Sequence, residues 1–143
     1  MQFPFLYLLI QSVISLSIPT YQDGFTNLPK LNHVNFDSTL YSSPRAIILF
    51  GATWCHNTRD FIPEFYDAYT QLRDDNFNLD FYFYDCGSNT IDYEFCHSTH
   101  TFPFSVKGYP TVLYFERGIY QKEVYVSEFI DFLRETGVNV DES

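Results

Sequence analysis

Four apolar segments along the chain have the lengths and spacing of strands. The runs at 46–50, 79–85 and 111–115 are nearly continuous, as expected of strands that are covered on both faces of a sheet. The last of them leads through a Glu-Arg-Gly turn into 119–126, which predicts an antiparallel hairpin. The many Tyr and Phe side chains of 79–85 are interpreted as core packing.

Helical spacing of apolar residues fills the segments between these strands. Over 58–73 the apolar side chains recur every three or four positions, which predicts a long helix that Pro63 should kink. Shorter helices are predicted near 36–41 and 92–96. Ser127 is placed to cap a last helix, which a glycine then ends.

The order of these elements predicts a single α/β domain with helices on both faces of a mixed central sheet. We assign this domain to 31–136, a lead-in with little periodicity to 18–30, and a C-terminal tail to 137–143. The chain has 143 residues, of which 45% are hydrophobic, so it can build one sizeable core.

Residues 1–17 have the layout of a secretory signal peptide. The apolar run that starts at Phe3 is too short to span a bilayer comfortably, which takes about 20 residues. Ser15 and Ser17 are small residues before a plausible cleavage site, although the run lacks Lys and Arg, so an uncleaved anchor is the alternative. A secretory route predicts the oxidising endoplasmic reticulum lumen or secretion, and the C-terminal Val-Asp-Glu-Ser is not a retrieval signal.

The charge of the chain is strongly negative, at −10 near neutral pH. Such a surface repels nucleic acid and anionic lipid, so we expect neither as a partner. Nothing after the signal peptide is apolar enough to form a second membrane segment, so we expect no stable membrane insertion after signal cleavage. The same charge keeps a chain with 16 Phe and 12 Tyr residues soluble.

Four stretches, in order and at matching spacing, resemble the thioredoxin fold, and within it the domains of protein disulfide isomerases and quiescin sulfhydryl oxidases. Residues 46–55 resemble the central strand that leads into the family's Trp-Cys motif. Pro63 matches the helix-kinking proline of the family. Residues 107–115 resemble its Gly-Tyr-Pro-Thr segment, which implies a cis peptide bond at Pro110. Residues 84–96 resemble the segment in which many secretory members hold an additional cysteine pair.

The chain departs from that family's dithiol pattern at three positions. Thr58 replaces the second active-site cysteine, and Leu49 stands where the family usually has a buried acidic residue for proton transfer. His56 is the first residue between the two motif positions, whereas the active-site His of disulfide isomerases is the second. These departures argue against ordinary dithiol catalysis.

Cys55 is the candidate nucleophile. The resemblance places it at the start of a helix, where backbone N–H groups and the helix dipole stabilise a thiolate. Thr58, one turn later, can donate its hydroxyl to the sulfur. The alternative is an inert cysteine that the chain keeps only for the shape of the site.

Four residues are candidates for contact with a client polypeptide. The resemblance implies that Pro110 holds the backbone of Tyr109 against Cys55, at an edge where an extended chain can pair. A purely structural tight turn is the alternative. Trp54 precedes the cysteine, and His56 beside it either assists the thiolate or only faces water.

Three cysteines leave at least one thiol free or joined to another molecule in a secreted chain. The resemblance implies a disulfide between Cys86 and Cys96, which are also the easier pair to join because they are close in sequence. The alternative is that one of them resolves adducts of Cys55. His97 and His100 lie near cysteines, but structural zinc normally takes four ligands. We therefore interpret both as solvated loop histidines and expect no metal or cofactor.

Two functions are consistent with these residues. In the first, a protein disulfide isomerase-like protein acts in protein folding, because Cys55 attacks a client disulfide and forms a mixed disulfide. Glutathione or another oxidoreductase must then release the client, and turnover as an enzyme depends on that external thiol. In the second, a non-catalytic binding module or chaperone-like secreted protein binds extended chains, and the thiol is incidental.

Overall fold

The sheet of the protein is built on both sides of one central strand. The computed structural model describes residues 20–74, 77–98 and 105–137. Within them the strands are β1 (Lys30–Leu31), β2 (Arg45–Gly51), β3 (Asp80–Asp85), β4 (Thr111–Glu116) and β5 (Ile119–Val124). Their spatial order is β1-β3-β2-β4-β5, in which β3 runs parallel to β1 and β2. Strand β4 is antiparallel to β2 and β5, so the sheet is mixed, as predicted.

Helices cover both faces of this sheet. The α-helices of the described residues are α1 (Tyr21–Asn27), α2 (Phe36–Tyr41), α3 (His56–Asp74), α4 (Thr90–His97) and α5 (Phe129–Glu135). Alternation along β2 separates two cores: Ile47 and Leu49 pack with side chains of α3 and α5. On the other face, Ala46, Ile48 and Phe50 pack with side chains of α2 and α4. This arrangement confirms the predicted α/β class with helices on both faces.

Helix α1 is an element that the apolar pattern does not predict. Thr20 caps it, because its hydroxyl accepts from the Asp23 amide while the Asp23 carboxylate accepts from the Thr20 amide. Gly24 is buried against α3, and a Cβ atom added there would lie 2.3 Å from a methyl carbon of Ile62. The glycine therefore lets α1 approach α3 closely, and this contact extends the packed structure to Tyr21.

The prediction that Ser127 caps the last helix is wrong. Ser127 lies inside a 3₁₀ turn, Val126–Glu128, that precedes α5. The Glu128 amide donates to the carbonyl oxygen of Tyr125 at 2.8 Å, which closes this turn. Glu128 then takes the cap position without a side-chain hydrogen bond.

Helix α3 starts shortly after β2 ends and continues through Pro63. In 20–74, 77–98 and 105–137, no helix has the length and apolar character needed to cross a bilayer. The predicted signal peptide lies outside the described residues and stays a prediction.

Candidate functional site

The turn between β2 and α3 carries the candidate nucleophile. Cys55 directly precedes His56, the first residue of α3. Its amide donates to the carbonyl oxygen of Ala52, and its own carbonyl oxygen accepts from the Arg59 amide, each at 3.0 Å. Cys55 thus occupies the cap position of α3, with a free and partly exposed thiol.

Hydrogen bonds at this helix start favour the charged form of the thiol. Partial burial of Cys55 raises its pKa, but three hydrogen bonds lower it. They come from the Thr58 backbone amide, the Thr58 hydroxyl and the Asn57 backbone amide. Their sum outweighs burial, so the pKa of Cys55 lies below its ordinary value. The chemistry expected of this arrangement is nucleophilic attack by a thiolate.

Thr58 fills the position that a second cysteine would take. It is fully buried, and its hydroxyl accepts from the Ala52 amide at 3.4 Å. Its methyl carbon would lie only 2.6 Å from a Cβ atom added at Gly51, so this glycine leaves room for the side chain. Because a hydroxyl cannot attack a disulfide, Thr58 can stabilise the Cys55 thiolate but cannot release a mixed disulfide.

The apolar residue at the usual acidic position is part of the core. Leu49 is fully buried on the α3 face of the sheet. An acidic residue does lie near the Cys55 turn: Asp85 is the last residue of β3 and pairs with Gly51, the last residue of β2. Burial raises the pKa of Asp85, against a hydrogen bond from the Gly87 amide that lowers it, and the charge of Asp92 raises it further.

Trp54 is held by contacts on two sides although it is largely exposed. The side chain is 61% exposed, so burial does not fix it. Its Nε1–H donates to the carbonyl oxygen of Gly87 at 3.2 Å. Its ring meets that of Tyr109 edge to face, with centroids 6.0 Å apart. The indole therefore joins the turn before Cys55 to two other segments.

The peptide bond between Tyr109 and Pro110 is cis. Burial is the main reason for the raised pKa of Tyr109, and the charges of Tyr93, Asp85 and Cys55 raise it further. The edge-to-face contact with Trp54 is what joins Tyr109 to the turn that carries Cys55. A shallow groove of about 640 Å³ lies along this segment, and Pro110 is among the residues that line it.

His56 is exposed and pairs with an acidic side chain of the same helix. Its side chain is 85% exposed, and Nε2 lies 3.1 Å from a carboxylate oxygen of Asp60, one turn later in α3. The interactions that shift the pKa of Cys55 come from burial, Thr58 and Asn57. His56 and Asp60 form a surface pair, of a kind that contributes little to stability.

Cys86 and Cys96 are joined by a disulfide, with sulfur atoms 2.08 Å apart. Both residues are fully buried in the core between the sheet and α4. The loop that this disulfide closes contains Gly87, whose carbonyl oxygen accepts from Trp54. The second cysteine of the pair directly precedes His97. The disulfide thus ties α4 to the edge of the Cys55 site.

A buried carboxylate anchors the start of α4. Asp92 accepts from the Tyr84 hydroxyl at 2.6 Å, from the Asn89 amide group at 2.8 Å and from the His33 backbone amide at 3.0 Å. Burial raises the pKa of Asp92, but these hydrogen bonds, together with one from the His33 ring, lower it to about 2. Asn89 in turn caps the helix through the Asp92 amide. This anchor was not predicted from the sequence, although an Asn followed three residues later by an Asp could have indicated it.

His97 is not the solvated loop histidine expected from the sequence. It is the last residue of α4, partly buried, and both ring nitrogens have partners. Nδ1 contacts the carbonyl oxygen of Val106, and Nε2 lies 2.7 Å from the Tyr109 hydroxyl. His100 lies outside the described residues. Among the residues that are described, no group of three or more metal-ligating side chains comes together.

Comparisons of sequence identify relatives of the chain. Residues 27–133 match the thioredoxin family model. The chain is 32% identical over 105 residues to protein disulfide-isomerase A5 of Bos taurus, which covers 71% of this chain and 18% of that protein. It is 25% identical over 114 residues to protein disulfide-isomerase 1 of Caenorhabditis elegans, which covers 80% of this chain and 21% of that one. The chain therefore spans about a fifth of the length of these curated relatives.

Solved structures share the fold. The zinc-bound form of human ERp44 superposes with a TM-score of 0.61 at 21% identity, over 78% of this chain and 32% of that one. Oxidised mitochondrial thioredoxin 3 of Saccharomyces cerevisiae superposes with a TM-score of 0.59 at 16% identity, over 78% of this chain and 98% of that one. These structures confirm the predicted thioredoxin fold. Since the family model also covers most of its length, the chain belongs to the thioredoxin family, and its domain is similar to those of protein disulfide isomerases.

Proposed function

We propose that this protein acts in protein folding in the secretory pathway by forming mixed disulfides with client polypeptides through Cys55. One observation carries the proposal: the thiol sits at the start of α3 with hydrogen-bond donors from Thr58 and Asn57, and its pKa is lowered. A cysteine with this environment is a better nucleophile near neutral pH than an ordinary one. Thr58 serves here as a thiolate-stabilising residue.

The proposed reaction is a thiol–disulfide exchange. The Cys55 thiolate attacks one sulfur of a client disulfide, so that a new sulfur–sulfur bond forms and the client bond breaks. The second client sulfur leaves as a thiolate and takes a proton from water. No net oxidation occurs, and the mixed disulfide persists until an external thiol, from glutathione or another oxidoreductase, attacks it. The persistence follows from Thr58, because no second thiol stands three residues after Cys55.

The client chain would lie across the residues that surround the thiol. Trp54 and Tyr109 offer aromatic surfaces on one side, and the cis peptide bond at Pro110 borders the groove described above. An extended client segment can pair with an exposed backbone edge at such a place. His56, at the exposed start of α3, is assigned to the outer margin of this contact.

A secretory location supports this chemistry and remains part of the proposal. The apolar first 17 residues suit a signal peptide, and a disulfide such as that between Cys86 and Cys96 persists in an oxidising compartment. Similarity to two protein disulfide isomerases agrees with a site in the endoplasmic reticulum lumen or outside the cell. The proposed division into signal peptide, lead-in, domain and tail follows the boundaries given from the sequence.

A second candidate function is a binding module that holds extended chains without exchange. Two residues favour it: Thr58 cannot resolve an adduct, and Leu49 supplies no carboxylate to move a proton. In that case the groove beside Pro110 does the binding, and the thiol is not needed.

Trapping experiments separate the two functions. Tagged wild-type protein and the Cys55→Ala variant are expressed in the cells of origin, quenched with an alkylating reagent and run on non-reducing gels. The exchange function predicts higher-mass adducts that disappear on reduction and are lost in the variant. Mass spectrometry of those bands should find Cys55 joined to client cysteines. Equal recovery of clients by wild type and variant, with no reducible adduct, would establish the binding module instead.

A further inference from the structure

His97 has one ring nitrogen on the backbone and the other on a residue of the Cys55 site. Nδ1 contacts the carbonyl oxygen of Val106, which can only accept, so in the neutral ring Nδ1 carries the hydrogen. Nε2 is then an acceptor, and the Tyr109 hydroxyl donates to it over 2.7 Å. The hydrogen bond to Val106 fixes the plane of the imidazole. Nε2 is therefore held in a fixed position as the acceptor for the Tyr109 hydroxyl.

Ring contacts extend this arrangement to the tryptophan of the site. The His97 ring packs between Tyr93, at a centroid distance of 4.4 Å, and Tyr109, at 5.6 Å. Tyr109 meets Trp54 edge to face. Because Trp54 is 61% exposed, its orientation depends on Tyr109 and on the hydrogen bond to Gly87. A loss of order at Tyr109 would therefore pass to the indole.

We propose that His97 is a positioning residue for client binding: its hydrogen bond to Tyr109 holds the aromatic surface of Tyr109 and Trp54 in place beside Cys55. This inference rests on the proposed function. A tyrosine without this bond would populate more side-chain conformations, and a client would have to order them on binding. His97 should therefore set the affinity for a polypeptide disulfide.

The thiol itself should not depend on His97. The hydrogen bonds that lower the pKa of Cys55 come from Thr58 and Asn57, and neither residue contacts His97 in the contacts described. Small reagents that need only the sulfur should react at an unchanged rate. This separation distinguishes a positioning role from general damage to the site.

Two variants separate the bond to Tyr109 from the bond to Val106. Tyr109→Phe removes only the hydroxyl and leaves His97 bonded to Val106, whereas His97→Phe removes both bonds and keeps a ring. His97→Gln, whose amide can both donate and accept, is the conservative replacement. Tyr41→Phe is the matched control, since Tyr41 is 74% exposed and lies beside the Gly118 turn, at the opposite end of β2 and β4.

The first measurement is exchange of the full chain with a disulfide-bonded peptide over a range of peptide concentrations, beside modification by iodoacetamide. Tyr109→Phe and His97→Phe should each raise the half-saturating peptide concentration about fivefold, the effect of one ordinary hydrogen bond. The limiting rate and the iodoacetamide rate should stay within about twofold. The double variant should be no worse than either single one, because both remove the same bond. His97→Gln should lie closer to wild type.

The second measurement is the fluorescence of Trp54, the one tryptophan of the chain. His97→Phe and Tyr109→Phe should change its emission and its acrylamide quenching in the same direction, and Tyr41→Phe should not. This measurement does not require thiol–disulfide exchange. If the wild-type protein forms no adducts with the peptide, the proposed function is refuted, but the fluorescence still tests whether His97 positions Tyr109 and Trp54. Three results would overturn the inference. They are unchanged emission in Tyr109→Phe, a double variant whose half-saturating peptide concentration rises by the product of the two single effects, and an iodoacetamide rate that falls in parallel.

Discussion

Thr58 donates two hydrogen bonds to the sulfur of Cys55, one from its backbone amide and one from its hydroxyl. The hydrogen bond from the backbone amide depends only on the start of α3, so many residues at this position could donate it. The hydroxyl bond depends on the side chain, and here it occupies the place of a second thiol. The replacement therefore keeps the means of stabilising a thiolate and removes the means of resolving an adduct.

Removing the hydroxyl alone should make the thiol less acidic. Thr58→Val keeps the shape of the buried side chain, so the hydrogen bonds from the backbone amides of Thr58 and Asn57 to the Cys55 sulfur should remain. The bond from the hydroxyl to the sulfur is lost, together with the bond that the hydroxyl accepts from the Ala52 amide. We expect the pKa of Cys55 to rise, because a hydrogen bond that stabilises the charged form of the thiol is lost. The pH dependence of iodoacetamide modification at Cys55 measures this. In the wild type its midpoint should lie below that of a free cysteine.

Thr58→Ser is the control for that substitution, because it restores a hydroxyl. Its midpoint should return most of the way to that of the wild type. A wild-type midpoint at or above that of a free cysteine, unmoved by Thr58→Val, would show an inert thiol.

Restoring a second thiol should restore part of dithiol chemistry. The wild-type protein should not efficiently reduce insulin disulfides when thioredoxin reductase supplies electrons, because nothing resolves the mixed disulfide. Thr58→Cys should give measurable turnover, since position 58 follows Cys55 by one helical turn. The rate should stay below that of a full family member, because Leu49 provides no carboxylate for proton transfer. Turnover by wild type that survives Cys55→Ala would show that the active cysteine is elsewhere.

Local patterns of the sequence predicted the sheet and most helices because burial imposes a period on apolar residues. The run 46–50 predicted β2, whose core residues are nearly or fully buried on both faces. Helix α1 was missed because Gly24 interrupts its pattern, although Thr20 and Asp23 carried a capping signal. Ser127 misled because a favourable cap residue does not exclude a 3₁₀ turn that begins one residue earlier.

Contacts between distant segments were beyond the reach of pattern analysis. The bond from Trp54 to Gly87 joins residues 33 positions apart, and that from His97 to Tyr109 joins residues 12 apart. Each depends on where a turn places one atom, which no periodicity records. The resemblance to a family supplied the place of Cys55 and Pro110 but not these chain-specific partners.

The carboxylate at the start of α4 should contribute to stability in a pH-dependent way. The folded pKa of Asp92, about 2, is below its ordinary value of 3.8, so its contribution is complete above about pH 4 and is lost as pH falls through about 2. This shift corresponds to about 2 kcal/mol of unfolding free energy at neutral pH. Asp92→Asn should therefore destabilise the protein by about that amount at pH 7, and the difference should shrink on acidification. Urea unfolding at several pH values measures it.

Glu94 offers a control on the same helix, since its side chain is exposed. Glu94→Gln should change the unfolding free energy by less than about 0.5 kcal/mol. A cost of Asp92→Asn that stays constant down to pH 2 would show that packing, and not the charge of Asp92, is responsible.

The disulfide of α4 should stabilise the fold and leave a single reactive thiol. Replacing Cys86 and Cys96 with serine should lower the unfolding free energy by roughly 3 kcal/mol, the value expected for a loop of this length. In the untreated protein, iodoacetamide should modify Cys55 and leave the pair unmodified. Cys55→Ser should leave stability nearly unchanged, as a control. A peptide map in which Cys55 is joined to either partner would contradict this pairing.

The close approach of Gly87 to Trp54 leads to a prediction about the orientation of the indole. A Cβ atom at Gly87 would lie 2.5 Å from Nε1 of Trp54 and 2.8 Å from Cβ of Ala52, so one of them must move. Ala52 is fully buried and Trp54 is 61% exposed, so the indole should yield in Gly87→Ala and swing toward solvent. Its emission should shift to longer wavelength and become easier to quench. Gly108→Ala is the matched control, because nothing lies within 4 Å of its added carbon. Equal emission from the two variants would mean that the loop, and not the indole, moves to make room.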